Sequence, residues 1–155
     1  FYSISRLNHA EGQRRSKKMD FSISEEDVRQ RADFKAFLQK NLAPHLSAWF
    51  RKGVIPRRFF EAMGGNGWFG FEAEKNVLRR RSHQQAVMVM EEIARISPGV
   101  ALAVMVHTDL GLGALDFFGA DKLKEVYGPP AARGELLFCL GNSENRPGPM
   151  WRVSP

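Results

Sequence analysis

Between Gly99 and Phe118 the chain runs apolar on nearly every side, and a small fold cannot leave such a segment on its surface. A helix of this kind belongs at the centre of a bundle, with other helices covering it. Its small residues (Gly99, Ala101, Ala103, Gly111, Gly113, Ala114) let neighbouring backbones come close, or leave room for an apolar ligand. Close packing is the plainer of these two readings. His107, Asp109 and the glycines interrupt the run, so it falls short of the roughly 18 uncharged apolar residues expected of a membrane span. A 43% hydrophobic content with 26% charged residues suits a globular chain of 155 residues with one substantial core.

The segments around this run carry helical spacing and helix punctuation. Ser24, with Asp27 three positions on, predicts an N-cap, and Val28, Phe34, Phe37, Leu38 and Leu42 predict an amphipathic helix over 24–42. Pro44 marks a break, followed by Leu46, Trp49 and Phe50. Gly53 and Pro56 bound a loop, and Pro56 opens a short helix through Phe59, Phe60 and Met63. A strong helix is expected over 84–96, and Pro98 starts the apolar one. A last helix runs from Asp121 through Tyr127 and is expected to end at Pro129-Pro130. The run Glu135 to Leu140 reads as the one strand. The fold class expected is therefore all-α, an antiparallel helix bundle with one terminal β-strand. Residues 1–18 read as a flexible basic arm, 19–134 as the helical domain, and 135–155 as the start of a further β-domain with an unmatched tail.

Charge excludes more than it suggests. The total is +6, but residues 1–18 hold +4 and Arg79-Arg80-Arg81 hold +3, which leaves −1 for the rest. No stripe of basic residues with interleaved aromatics is present, so nucleic acid is not an expected partner. With no secretory segment and a single cysteine, the expectation is a soluble cytoplasmic protein with no membrane partner. Cys139, in an apolar run without a nearby His or cation, reads as an inert buried thiol.

Candidate chemistry is sparse. Glu91 and Glu92 are adjacent, so on a helix they point about 100° apart and cannot face each other as an acid–base pair, and solvation suits at least one of them. His9, His45, His83 and His107 lack partners at metal-ligand spacing, so no metal is expected. His107 reads as a buried, hydrogen-bonded histidine or one at a helix bend rather than as a base. Gly64-x-x-Gly67-x-x-Gly70 lacks the Lys-Ser or Lys-Thr of a phosphate loop, and reads as a helix end with close backbone passage beneath aromatics. No catalytic residue is assigned.

Several blocks in order nevertheless resemble one family. Leu42-Ala-Pro44 with Trp49 and Pro56 resembles the Ile-Ala-Pro…Trp…Pro stretch of the acyl-CoA dehydrogenases. Met63 to Gly70 is similar to that family's Leu-Gly-x-x-Gly-x-x-Gly turn. Glu91 to Arg95 with Ser97 to Leu102 is similar to its paired central helices. Phe118-Gly119 through Tyr127, Pro129-Pro130 and Arg133-Gly134-Glu135 resembles its Phe-Gly…Tyr-Leu-Pro-Pro-Leu-Ala-Arg-Gly-Glu. The sequence departs from the pattern at Lys75 to His83, where the family carries a Tyr-Gly-Gly-x-Gly loop. It departs again at Gly141 to Gly148, where the family carries Thr-Glu-Pro-x-Ala-Gly-Ser-Asp.

The resemblance implies a helical N-terminal domain, a middle β-domain and a C-terminal four-helix domain, assembled as a homo-oligomer that binds FAD and an acyl-CoA thioester. In the family a glutamate of the C-terminal domain removes the α-proton while the flavin takes a hydride from the β-carbon, and electrons pass to an electron-transfer flavoprotein. The match places Leu102, Ala103, Val106 and Leu110 on the acyl-substrate pocket, apolar or small as a plain acyl chain would require. It places Phe138, Leu140 and, with a shifted register, Ser143 on the cofactor side. The chain resembles the front part of such an enzyme, expected to be inactive by itself. The alternative is a stand-alone helical interaction module without catalysis.

Overall fold

A computed structural model describes residues 23–74 and 77–141 of the chain; the arm expected at 1–18 and the tail that includes Ser143 lie outside the described residues. Helix α1 (Glu25–Asn41) starts where Ser24 can satisfy its first amides. The Ser24 hydroxyl accepts the Asp27 N–H at 3.1 Å, and the Asp27 carboxylate accepts the Ser24 N–H at 3.0 Å. That exchange of bonds holds the Asp27 carboxyl below its usual range, chiefly through the Ser24 hydroxyl. One face of α1 buries Phe34 and Leu38, and Leu42 follows them into the core.

Pro44 sits in a single 3₁₀ turn (Ala43–His45) that hands over to α2 (Leu46–Lys52). Gly53 closes α2 at φ 64°, a left-handed geometry that glycine adopts without steric cost. Helix α3 (Arg57–Gly65) follows Pro56 and buries Phe59, Phe60 and Met63. Rings from these segments form a spine. Phe34 meets Trp68 at 4.7 Å between centroids, Trp49 meets Phe59 edge-on at 5.4 Å, and Phe69 meets His107 at 4.7 Å.

The sheet lies where helix punctuation gave no warning of it. Strands β1 (Phe71–Glu74) and β2 (Val77–Arg80) pair antiparallel, with Phe71 opposite Arg80 and Glu74 opposite Val77. Each arginine of the triplet faces a carboxylate: Arg79 and Arg81 approach Glu72 at 3.4 and 3.6 Å, and Arg80 pairs with Asp109. The Arg80 guanidinium also stacks 4.7 Å above the Phe71 ring. The arginine triplet is thus part of a hairpin and its edge, with three cations shared between the carboxylates of Glu72 and Asp109.

Helix α4 (His83–Ile96) is capped by Ser82, whose hydroxyl accepts the Gln85 N–H. Ser97 alone links it to α5 (Pro98–Met105), capping that helix through the Val100 N–H, so the two helices fold back on each other. A π-helical turn (Val106–Leu112) and α6 (Gly113–Phe118) continue α5 as one rod. By length and mean hydropathy (21 residues, 1.5) this rod could cross a membrane, which exceeds the sequence expectation. It is instead the bundle's central helix, packed on α4 and α7 with Val104, His107 and Leu112 in the core. Between α1 and α4, Glu92 is buried facing Arg31 at 3.3 Å, Lys35 at 3.8 Å and Arg95 at 3.9 Å. Its neighbour Glu91 is exposed and takes the other side of Arg31 at 2.6 Å.

Three expectations are corrected. Helix α7 (Asp121–Ala132) runs through Pro129 and Pro130 instead of ending there. The carbonyls that lose donors belong to the exposed residues Glu125 and Val126, which water can reach, so the prolines are tolerated in the last turn. Residues 135–140 form no strand ladder among the described residues. Their backbone is tied to the bundle, with the Glu135 and Leu136 amides donating to the Pro130 carbonyl, and no neighbouring strand offers a partner. Cys139 is exposed rather than buried.

Candidate functional site

Leu102, Val106 and Leu110 stand on successive turns of the central rod, and burial does not consume them. Leu102 is 56% and Leu110 46% exposed, while Val106 is half-buried and Ala103 packs beside it against the core. In a helix whose opposite face holds Val104, His107 and Leu112 at 1% exposure or less, that stripe is apolar surface without a cover among the described residues. It leads into an open groove of about 940 Å³ walled by Val87 and Met90 of α4 and by Leu110, Ala114 and Phe117 of the rod. The Arg80–Asp109 pair stands at its rim. Of the four residues expected on the acyl side, Leu110 lines this groove, and the other three extend along the rod toward its N-terminus. Ala114 and Phe117 were missed, although they follow Leu110 at +4 and +7, the spacing of a continuing helical face.

The π turn is where the rod meets the 135–140 segment. The Gly113 N–H reaches back to the Thr108 carbonyl, and the Thr108 hydroxyl donates to the Val104 carbonyl at 3.0 Å. This widened turn carries His107, 1% exposed. The Phe138 N–H donates to His107 Nδ1 at 3.2 Å, so Nδ1 is unprotonated and Nε2 carries the hydrogen that meets the Ala131 carbonyl at 3.1 Å. Burial among Phe60, Phe69 and Phe138 pushes the imidazole below its ordinary value, partly opposed by the Ala131 carbonyl. Of the two sequence readings of His107, the buried, hydrogen-bonded one holds, and in place of a bend the helix has a π turn here.

A pH dependence follows with a definite sign. With its pKa depressed in the fold, His107 takes up a proton more readily in the unfolded chain. Its contribution is complete above about pH 6.5, the ordinary histidine value, and is lost as pH falls from there toward the folded value. Urea midpoints at pH 7.5, 6 and 5 should decrease in that order for the native chain, and more steeply than for His107→Phe.

Of the residues expected on the cofactor side, Phe138 turns its ring inward. It stacks on His107 at 6.1 Å and fills the space beside Gly111, where an added Cβ would lie 2.6 Å from Phe138 Cγ. Leu140 is exposed, and Ser143 lies outside the described residues. Phe138 therefore anchors this segment, and Leu140 faces outward.

The Gly64–Gly70 loop shows the close passage expected of it. Gly67 and Gly70 take φ values of 72° and 70°. The amides of Gly67, Trp68 and Gly70 donate to the carbonyls of Gly64, Met63 and Gly67, so a phosphate would find those donors already engaged.

Comparison with known proteins meets the same elements. The family model "Acyl-CoA dehydrogenase, N-terminal domain" matches residues 24–135. An isovaleryl-CoA dehydrogenase, mitochondrial, of Pongo abelii is 32% identical over 129 residues, covering 81% of this chain and 30% of that protein. An acyl-CoA dehydrogenase of Bacillus subtilis is 25% identical over 127 residues, covering 81% of this chain and 34% of its own length. A crystal structure of acyl-CoA dehydrogenase from Geobacillus kaustophilus superposes with a TM-score of 0.69 at 28% identity, over 77% of this chain and 31% of that one. The chain spans about a third of the length of the relatives it matches. The bundle, its order of helices and the run from Ser24 to Glu135 agree with these relatives, and the chain belongs to the acyl-CoA dehydrogenase family.

Proposed function

We propose that this domain supplies one wall of the acyl-chain site in an FAD-dependent dehydrogenase that desaturates acyl-CoA thioesters between the α- and β-carbons. The observation that carries the reading is the stripe Leu102–Val106–Leu110: apolar, partly exposed, and continued along the same rod by the exposed Phe117 and Phe118. With Ala103, these residues would lie along the acyl chain, each methylene buried there being worth about 0.8 kcal/mol, and would keep water from the reacting carbons. No carboxylate or amine stands among the four, so a plain acyl chain suits the wall better than one ending in a charge.

FAD enters through the family. The 135–140 segment fits an edge of such a cofactor, since Phe138 pins its backbone inward while Cys139 and Leu140 face outward. Leu140 would meet the flavin, held in place by Phe138, and the resemblance assigns Ser143 to the same side. Bound FAD would accept the hydride from the β-carbon. The family's proton-removing glutamate matches no position in this chain, so the domain alone would bind but not oxidise a thioester. In the complete enzyme, electrons would pass to an electron-transfer flavoprotein, and the subunits would form a homo-oligomer in a reducing compartment such as the cytoplasm.

An acyl-CoA with a photoreactive group at the end of its acyl chain tests the reading. Peptide mapping should place the label on residues 102–118, and the same mixture should leave added FAD unreduced. Label confined to α1 or α2, or bleaching of the flavin by the chain alone, would defeat the proposal.

A further inference from the structure

We propose that His107 is a positioning residue: its neutral ring, hydrogen on Nε2, clamps the Phe138–Leu140 segment to the central rod. The clamp thereby sets the separation between the cofactor-side residues and the acyl wall. This rests on the assignment of those two faces under the proposed function, but the clamp itself stands on geometry alone. One ring joins three elements. The π turn carries it, Nε2 donates to the Ala131 carbonyl at the end of α7, and Nδ1 accepts the Phe138 amide. Gly111, on the same turn, lies against the Phe138 side chain and lets that close approach occur.

The π turn has a role in this arrangement. An irregular turn shifts where a side chain leaves the helix and commonly occurs at functional sites. Here it directs His107 into the aromatic spine while Leu110, three residues on, faces the open groove. The position of residue 138 relative to residue 110 is therefore fixed within one turn of one helix. Phe60 and Phe69 pack edge-on against the imidazole at 6.5 and 4.7 Å and hold its plane. The rings that meet the imidazole, from α3, from the loop before β1 and from the 135–140 segment, are all phenylalanines, and the partners of its two nitrogens are both backbone groups.

Two measurements on the chain as it stands test the clamp without any cofactor. Imidazole ¹⁵N shifts should report the Nε2–H tautomer for His107, and the Phe138 amide should be protected from hydrogen exchange. His107→Phe keeps the ring volume but removes both bonds, and should speed Phe138 exchange about 10- to 100-fold relative to the other core amides. His107→Asn can still present an acceptor near the Nδ1 position, and should restore most of that protection although it loses the Ala131 contact. A hydrogen on Nδ1, or Phe138 exchange unchanged in His107→Phe, overturns the clamp. If His107→Phe does not fold, the tautomer in the native chain and the exchange rate in His107→Asn still decide. Failure of the acyl photolabel leaves these readouts untouched, so the two proposals fail separately.

Discussion

Gly64→Ala should unfold this domain or lower its melting temperature by about 10 °C or more, a loss of roughly 3 kcal/mol. The added Cβ would overlap the backbone of Arg133 and lie 2.6 Å from Gly134 N. A flexible side chain could swing away from such a clash, but a backbone turn cannot. Gly134, opposite, is itself constrained: its φ is 75°, and a Cβ there would lie 2.6 Å from the Phe60 carbonyl carbon. The two glycines let α3 and the turn after α7 touch main chain to main chain. The loss should appear as a lowered urea midpoint with the slope of the transition unchanged. Gly65→Ala, one residue along with open space around its position, is the matched control and should change stability little. Equal effects from the two substitutions would remove the steric argument.

Leu110→Glu should do the opposite, sparing the fold and damaging the proposed function. Leu110 is 46% exposed at the mouth of the groove, so the new carboxylate stays hydrated in this chain and the melting temperature should hold. Placed beside an acyl chain in the complete enzyme, that carboxylate must be stripped of water without a partner. A cost of about 3 kcal/mol corresponds to roughly 100-fold weaker use of a plain acyl-CoA. Steady-state kcat/KM for a straight-chain thioester reads it directly. Phe50→Glu, a comparable change on the exposed surface of α2, should leave kcat/KM alone. If both variants behave alike, the stripe is not the acyl wall.

How much of this was visible beforehand differs from element to element. The α1 cap was legible because Ser24 and Asp27 act across three residues, and local chemistry suffices for such a bond. The central rod was legible from its apolarity. The hairpin was not, because Phe71–Glu74 and Val77–Arg80 are too short to show alternation and their pairing depends on α7 and Asp109 far along the chain. The strand expected at 135–140 erred for the same reason in reverse. Apolar composition favours extension, but a ladder needs a partner, and here the amides bond to Pro130 and His107. At the site, the stripe was placed by the resemblance to the family, since apolar spacing on one helix does not say which side chains stay uncovered. Glu92 among three cations, and the inward turn of Phe138, required knowing which helices meet.

The irregular turn at Val106–Leu112 also limits how the central rod could be reused. Its two ends are out of phase with a uniform α-helix by about the angle of one residue, roughly 100°. A designer who transplanted Pro98–Phe118 into another scaffold as an ideal helix would keep Leu102 aimed correctly but rotate Phe117 and Phe118 off the groove. Evolution faces the same arithmetic: gaining or losing a single codon within that turn would redirect every side chain downstream while barely altering the rod's length.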